Sequence, residues 1–255
     1  MAGLDPTGGA GIQADIEAIV SMGCHPAPLV TALTVQNTSG VRGFEPVDPV
    51  LFVEQARAVL EDLPVAAVKV GMVPNRALAE AIHALLLDLP DALLVVDPVL
   101  ASGGGDALTE GDLLAAMREL LLPRTTLLTP NVRELRILAE GADTVEAAAH
   151  SVLDRGTGHI LVTGADQPTP QVENRLFGPE GLVETFTWQR LAQMCHGSGC
   201  TLASAATGLL AHGAEPLAAV HHAQEYTWEA LSHGYALGSG QHLPNRLFWA
   251  GAGKQ

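Results

Sequence analysis

His196-Gly197-Ser198-Gly199-Cys200 sets a thiol at the end of a glycine loop that runs into an apolar helical stretch. The first N–H groups of a helix have no intrahelical acceptor, so Gly197, Ser198 and Gly199 form a candidate anion hole for a phosphoryl group whose charge spreads during transfer. A thiol at such a helix start should have a depressed pKa and can accept a proton, which makes Cys200 a candidate general base. Read alone, the same five residues also describe a tight turn and a small buried hydrophobe. A second glycine loop, Asp5-Pro6-Thr7-Gly8-Gly9-Ala10-Gly11, precedes another helix. There, close backbone approach to a ligand competes with plain helix capping.

Two carboxylates follow apolar runs. Asp97 leads into Pro98-Val99-Leu100 and the loop Ala101-Ser102-Gly103-Gly104-Gly105-Asp106, and Glu134 closes Thr129-Pro130-Asn131-Val132-Arg133-Glu134. Each alone reads as a cap or a solvated charge, but two at one sheet edge favour a metal–phosphate site. Mg²⁺ held by Asp97 and Glu134, directly or through water, is the expected metal. Zinc fits poorly, because Cys195, His196 and Cys200 lack paired short spacings and His221-His222 lacks an HExxH context. Gly251-Ala252-Gly253-Lys254 imitates the end of a phosphate-binding loop with no helix after it.

Elements must carry these segments to one place. Val65 to Val70, Leu93 to Val96, Thr126 to Leu128 and His159 to Val162 read as buried strands. Amphipathic helices separate them, one with Ile12, Ile16, Ile19 and Val20 on a common face, another with Leu202, Ala205, Ala206, Leu209 and Leu210. This alternation predicts an α/β fold with a mainly parallel sheet covered on both faces. Between Val172 and Thr187, two short runs around Gly178-Pro179-Glu180-Gly181 predict a small β-hairpin insertion at a sheet edge. Open α/β sheets bind ligands outside the carboxyl ends of their strands, where the candidate residues lie.

Composition sets the outer limits. A chain of 255 residues, 47% hydrophobic and 16% charged, is expected to form one domain. Three unpaired-looking cysteines and no signal peptide point to the cytoplasm, and no apolar run approaches the roughly 18 to 20 residues of a membrane span. A formal charge of −15, with only Lys69 and Lys254 as lysines, opposes nucleic acid and anionic membranes as partners.

The combination resembles the bacterial hydroxymethylpyrimidine/phosphomethylpyrimidine kinases of thiamine biosynthesis, within the ribokinase-like superfamily. It is carried by Ala2-Gly3-Leu4-Asp5-Pro6-Thr7-Gly8-Gly9-Ala10-Gly11, Thr31-Ala32-Leu33-Thr34-Val35-Gln36-Asn37, Lys69-Val70-Gly71-Met72, Asp97-Pro98-Val99, Thr129-Pro130-Asn131 with Glu134, and the Cys200 loop. The resemblance implies a three-layer ribokinase-like fold over residues 1–255 and ATP-dependent phosphorylation of 4-amino-5-hydroxymethyl-2-methylpyrimidine to its monophosphate and then its diphosphate. It implies substrate binding by Gly3, Asp5, Gln36, Met72 and Val99, nucleotide binding by Asn131 and Thr163, Mg²⁺ at Asp97 and Glu134, and Cys200 as the base. Most ribokinase-like sugar kinases place Asp where this chain has Cys200, so sugars are disfavoured. Pyridoxal or a related alcohol is the enzymatic alternative, and a non-catalytic pyrimidine-binding or vitamer-binding protein the alternative of another class. A homodimer stays open. Two departures stand out: Thr163-Gly164-Ala165-Asp166 replaces a family Lys-Gly-Gly-His, and the chain begins inside the first motif, so the hydrophobic first strand is expected to be absent through a late start or truncation.

Overall fold

The computed structural model describes residues 1–100 and 112–251; Ala101 to Asp106 and Ala252 to Lys254 lie outside the described residues. The strands are β1 (Ala2–Leu4), β2 (Val30–Asn37), β3 (Gly40–Pro46), β4 (Ala67–Val70), β5 (Leu93–Val96), β6 (Leu127–Leu128), β7 (His159–Val162), β8 (Gln171–Gly178) and β9 (Gly181–Gln189). The helices are α1 (Gly11–Ser21), α2 (Pro49–Leu60), α3 (Arg76–Leu87), α4 (Leu113–Ala116), which runs on into a π turn, α5 (Val132–Leu138), α6 (Val145–Leu153), α7 (Ser198–Ala211) and α8 (Pro216–Ser232).

Strands β4 to β9 pair in sequence order, with β4 to β7 parallel and the β8–β9 hairpin antiparallel at one edge. At the other side, β1 pairs parallel with β2, and β2 antiparallel with β3. Met1 joins the two sets: its amine donates to the Lys69 carbonyl at 2.8 Å and its carbonyl accepts from Gly71 N–H at 2.9 Å. The sheet is therefore mixed, parallel in the middle and antiparallel at both edges. The hairpin at β8–β9 matches the sequence pattern; the one at β2–β3 does not appear in it, because Thr34 and Gln36 read as motif residues rather than as one face of a strand. Where the first strand was expected to be absent, a three-residue strand, β1, occupies the place between β2 and β4.

Side-chain alternation explains the layers. Val68, Val70, Leu94, Val96, Leu128, Ile160, Val162 and Phe177 face one core with α2, α3, α5 and α6. Val95, Leu127, Leu161 and Leu176, each one residue out of phase, face the other with α1, α7 and α8. Each fully buried Leu or Val in these layers contributes about 1.5 to 3 kcal/mol of transfer free energy. The face expected for α1 is corrected. The buried residues are Ile12, Ala14, Asp15 and Ala18, while Val20 is 47% exposed. Close approach to α7, where a Cβ on Gly208 would come 2.7 Å from Met22 Cβ, favours small side chains and leaves the larger aliphatics at the margins. Among the described residues no helix is long and apolar enough to cross a membrane.

Candidate active site

Helices α2, α3, α5 and α6 begin with side-chain caps from Asp48, Asn75, Asn131 and Thr144. Helices α1 and α7 do not: both start without a side-chain cap, and the residue before α7, Gly197, is left-handed at φ 83°. A Cβ there would sit 2.0 Å from the Gly9 carbonyl oxygen, so glycine is required where the two glycine loops cross. Among the described residues no side chain caps the first-turn amides of α7, at Ser198, Gly199 and Cys200.

Those amides open onto a cleft of about 480 Å³ across the carboxyl ends of the strands. Its lining includes Gly3, Asp5, Gln36, Met72, Asp97, Val99, Asn131, Glu134, Thr163, Gly197, Ser198, Gly199 and Cys200, so the fold gathers every candidate residue around one space. At the β1–β2–β4 end, Met72 packs with Ala32, Val41, Phe44 and Val99, and a Cβ on Gly3 would come within 3.0 Å of Met72 Sδ. Gln36 Nε2 donates to Thr34 Oγ1 at 2.7 Å, which orients the amide. Asp5 lines the cleft, but its buried carboxylate is engaged: it accepts from Thr7 N–H, Thr7 Oγ1, Ala10 N–H and His196 Nε2. Burial opposes its ionisation, yet the hydrogen bonds from His196 and Thr7 outweigh this and hold its pKa below the usual carboxylate value. Its evident work is to shape the loop and fix His196.

Cys200, in the first turn of α7, shares the cleft with Asp97, and the carboxylate charge acts on the thiol. The expected depression of its pKa is overturned. Burial pushes the thiol up to about 12; the Lys69 ammonium and the Gly11 N–H pull it down, while the Asp97 and Asp15 charges add to the rise. Proximity to a helix start does not offset a dry pocket with two carboxylates beneath it. Asp97 is raised as well, by burial against the opposing pull of Lys69 and the thiol, and among the described residues its Oδ2 has no hydrogen-bond partner. Glu134 reaches about 8 through burial and the nearby Asp97 charge, although amides of Asn131 and Leu100 stabilise its anion. It also closes a capping box on α5, accepting from Asn131 N–H at 3.0 Å. Thr163 is bridged to the Asn131 strand end through its N–H to the Pro130 carbonyl.

Three supports escaped sequence reasoning. Lys69 points from β4 to the α1–α7 side, donating to Asp15 Oδ1 at 2.8 Å and standing 3.9 Å from Asp97 Oδ2. Ser204 of α7 donates to the same Asp15 oxygen at 2.7 Å. Arg246, fully buried, ties the glycine loops to α7 through Thr201 Oγ1, the Gly8 and Gly9 carbonyls and Glu17. The only available signal was for Lys69, as one of two lysines in the chain.

A glycine loop at a helix start, a thiol and two carboxylates, all at the carboxyl edge of a three-layer α/β sheet, match a ribokinase-like small-molecule kinase architecture. The solved pyridoxal kinase of Staphylococcus aureus, in complex with pyridoxal, has that architecture: TM-score 0.86, 25% identity, 96% of this chain and 91% of that one. The chain belongs to the phosphomethylpyrimidine kinase family, whose profile matches residues 5–245. A hydroxymethylpyrimidine/phosphomethylpyrimidine kinase of Rhizobium meliloti is 37% identical over 246 residues, covering 94% of this chain and 92% of that protein. A probable thiamine biosynthetic bifunctional enzyme of Oryza sativa is also 37% identical, over 91% of this chain. The chain spans 44% of that longer protein's length.

Proposed function

We propose that the chain transfers the γ-phosphoryl group of ATP to the hydroxymethyl oxygen of 4-amino-5-hydroxymethyl-2-methylpyrimidine, and then phosphorylates the resulting monophosphate, as a step of thiamine biosynthesis. The observation that carries this reading is Cys200 in the first turn of α7, lining one cleft together with Gln36, Met72 and Val99 and with residues of β9 and α8. An aminopyrimidine fits the first end by its chemistry: Met72 and Val99 supply apolar walls, and the Gln36 amide can pair with a ring nitrogen and exocyclic amine.

Phosphoryl transfer needs positioning and charge stabilisation more than covalent help. The amides of Ser198, Gly199 and Cys200 face the transferring group. Among the described residues no cluster of three or more metal-ligating side chains exists, which suits Mg²⁺ that keeps water and phosphate ligands rather than a protein cage. Asp97 and Glu134 fit that ion: one offers a buried oxygen with no hydrogen-bond partner among the described residues, the other a buried carboxyl near it. Such an ion supplies neutralisation of phosphate charge. In the free protein Cys200 keeps its proton. With the Asp97 charge neutralised in the complex, one of the two charges that raise the thiol is removed, leaving the Lys69 ammonium and the Gly11 N–H to work against burial and the Asp15 charge alone. As the base, Cys200 releases its own proton to solvent through the open cleft as the substrates bind, and the thiolate so formed takes the hydroxyl proton. The second phosphorylation needs no such step, because a phosphate acceptor carries no alcohol proton to remove.

A second reading, pyridoxal phosphorylation, is favoured by the likeness to the Staphylococcus aureus pyridoxal kinase. An ATP-consumption assay with the pyrimidine alcohol beside pyridoxal decides between them. The first reading expects two ATP consumed per pyrimidine and slower turnover of pyridoxal; no turnover of the pyrimidine above background overturns it.

A further inference from the structure

The β7–β9 end of the cleft holds two of the chain's three tryptophans. Trp188 of β9 donates its indole N–H to Gln224 Oε1 at 3.0 Å, and Trp228 of α8 donates to the Gln189 carbonyl at 3.1 Å. Both rings are half-buried and line the cleft. With their N–H groups tied to the protein, they offer a ligand only aromatic surface.

The polar side chains around them are closed in the same way. Asn174 Oδ1 accepts from Gly164 N–H at 3.0 Å, and its Nδ2 donates to Gln224 Oε1 at 2.8 Å. Gln224 Nε2 donates to the Val220 carbonyl, and Thr227 Oγ1 to that of Ala223. The Arg190 guanidinium is spent on the Ala165, Gln167 and Thr169 carbonyls. Asp166 and Gln189 are exposed, where water competes for them.

Resting on the phosphotransfer reading, we propose that the base of the donor nucleotide stacks at Trp188 and Trp228, and that the protein selects its donor by the phosphates while discriminating poorly among bases. Strand order sets the direction. The pyrimidine end lies over β1, β2 and β4, and the α7 amides and Cys200 lie over β5, so a nucleotide whose phosphates meet those amides extends toward β7 to β9. Strong rejection of a wrong base comes from buried polar groups left unpaired, and the buried ones here are already paired with each other. Stacking tolerates any base, since each has a π face.

Nucleotide binding without the pyrimidine tests this on the whole chain. MgADP and MgGDP are titrated by quenching of tryptophan emission and by calorimetry. Their dissociation constants should agree within about tenfold; a larger preference for ADP overturns the inference. Trp228→Leu should weaken both by a similar factor, about 5- to 100-fold, with Trp228→Phe losing less because a ring remains. Weakening of one nucleotide alone, or of neither, overturns it as well. Because the readout is binding, failure to phosphorylate the pyrimidine would sink the functional reading and leave the stacking site standing. Normal turnover with ATP but no binding of GDP would do the reverse.

Discussion

The ammonium of Lys69 and the carboxylate of Asp15 meet at 2.8 Å with both side chains almost wholly buried, and Ser204 donates to the same carboxylate oxygen. Burial disfavours the ammonium, but the charges of Asp15 and Asp97 and the hydrogen bond to Asp15 outweigh it and raise the Lys69 pKa above its ordinary value. Breaking one side of such a pair leaves a buried charge uncompensated. Lys69→Met should therefore cost about 3 to 5 kcal/mol in urea unfolding. The double variant Lys69→Met with Asp15→Leu should recover part of that loss. Equal stability of the single variant and the parent would show that the pair is not holding β4 to α1 and α7.

Gln36 should decide the aminopyrimidine. One Nε2–H is given to Thr34, which leaves the second N–H and Oε1 to meet a ring nitrogen and the exocyclic amine. Gln36→Leu should raise KM for the pyrimidine alcohol by the equivalent of about 1 to 3 kcal/mol and weaken rejection of an analogue lacking the exocyclic amine. Unchanged kinetics with both compounds removes Gln36 from the pocket.

Much of this site was legible because an open α/β sheet delivers the residues after its strands to one edge. Asp97 follows β5, Asn131 comes just after β6 and Thr163 follows β7, so recognising the strands located them. Gly197 was legible as a loop residue, and its left-handed backbone supplies the physical need. What could not be read is what packing brings from far away. Asp15 and Ser204, 189 positions apart, share a hydrogen bond that no local pattern announces. The same distance hid the chemistry of Cys200: its place at a helix start was visible in sequence, whereas the carboxylates beneath it arrive from β5 and α1. Arg246 gave no signal, since an arginine near a chain end is ordinarily a solvated charge.

Glu134 should make stability fall as pH rises. Its folded pKa of about 8 lies above the ordinary carboxyl value of 4.5, so between those values the folded state holds a proton that the unfolded state has lost. Stability from this group is present below about 4.5 and declines until about 8. Glu134→Gln preserves the capping geometry, as Gln serves at that position, and removes the titration. Melting temperatures followed from pH 5 to 9 should decline less steeply in the variant. Parallel slopes would mean that Glu134 is ionised in the free fold.

Cys200 carries the sharpest test, because its helix position and its surroundings predict opposite reactivity. Were the helix field dominant, iodoacetamide near neutral pH would modify it ahead of Cys24 and Cys195. With the thiol buried and raised to about 12, it should instead react last in the free protein. Rapid, selective modification would restore the preformed thiolate. Removing the base is the second arm. Cys200→Ala leaves the α7 amides in place, so folding and nucleotide binding should survive while phosphorylation of the alcohol falls by about 10² to 10⁴. Phosphorylation of the monophosphate should fall less, which a purely structural loss would not produce. Cys200→Asp puts a third carboxylate beside Asp97 and Asp15 and should lower stability without nucleotide, yet recover part of the first activity if the role is to accept a proton. Near-normal turnover of the alcohol by the alanine variant would make Cys200 a packing residue, and the proton would have to leave by another group.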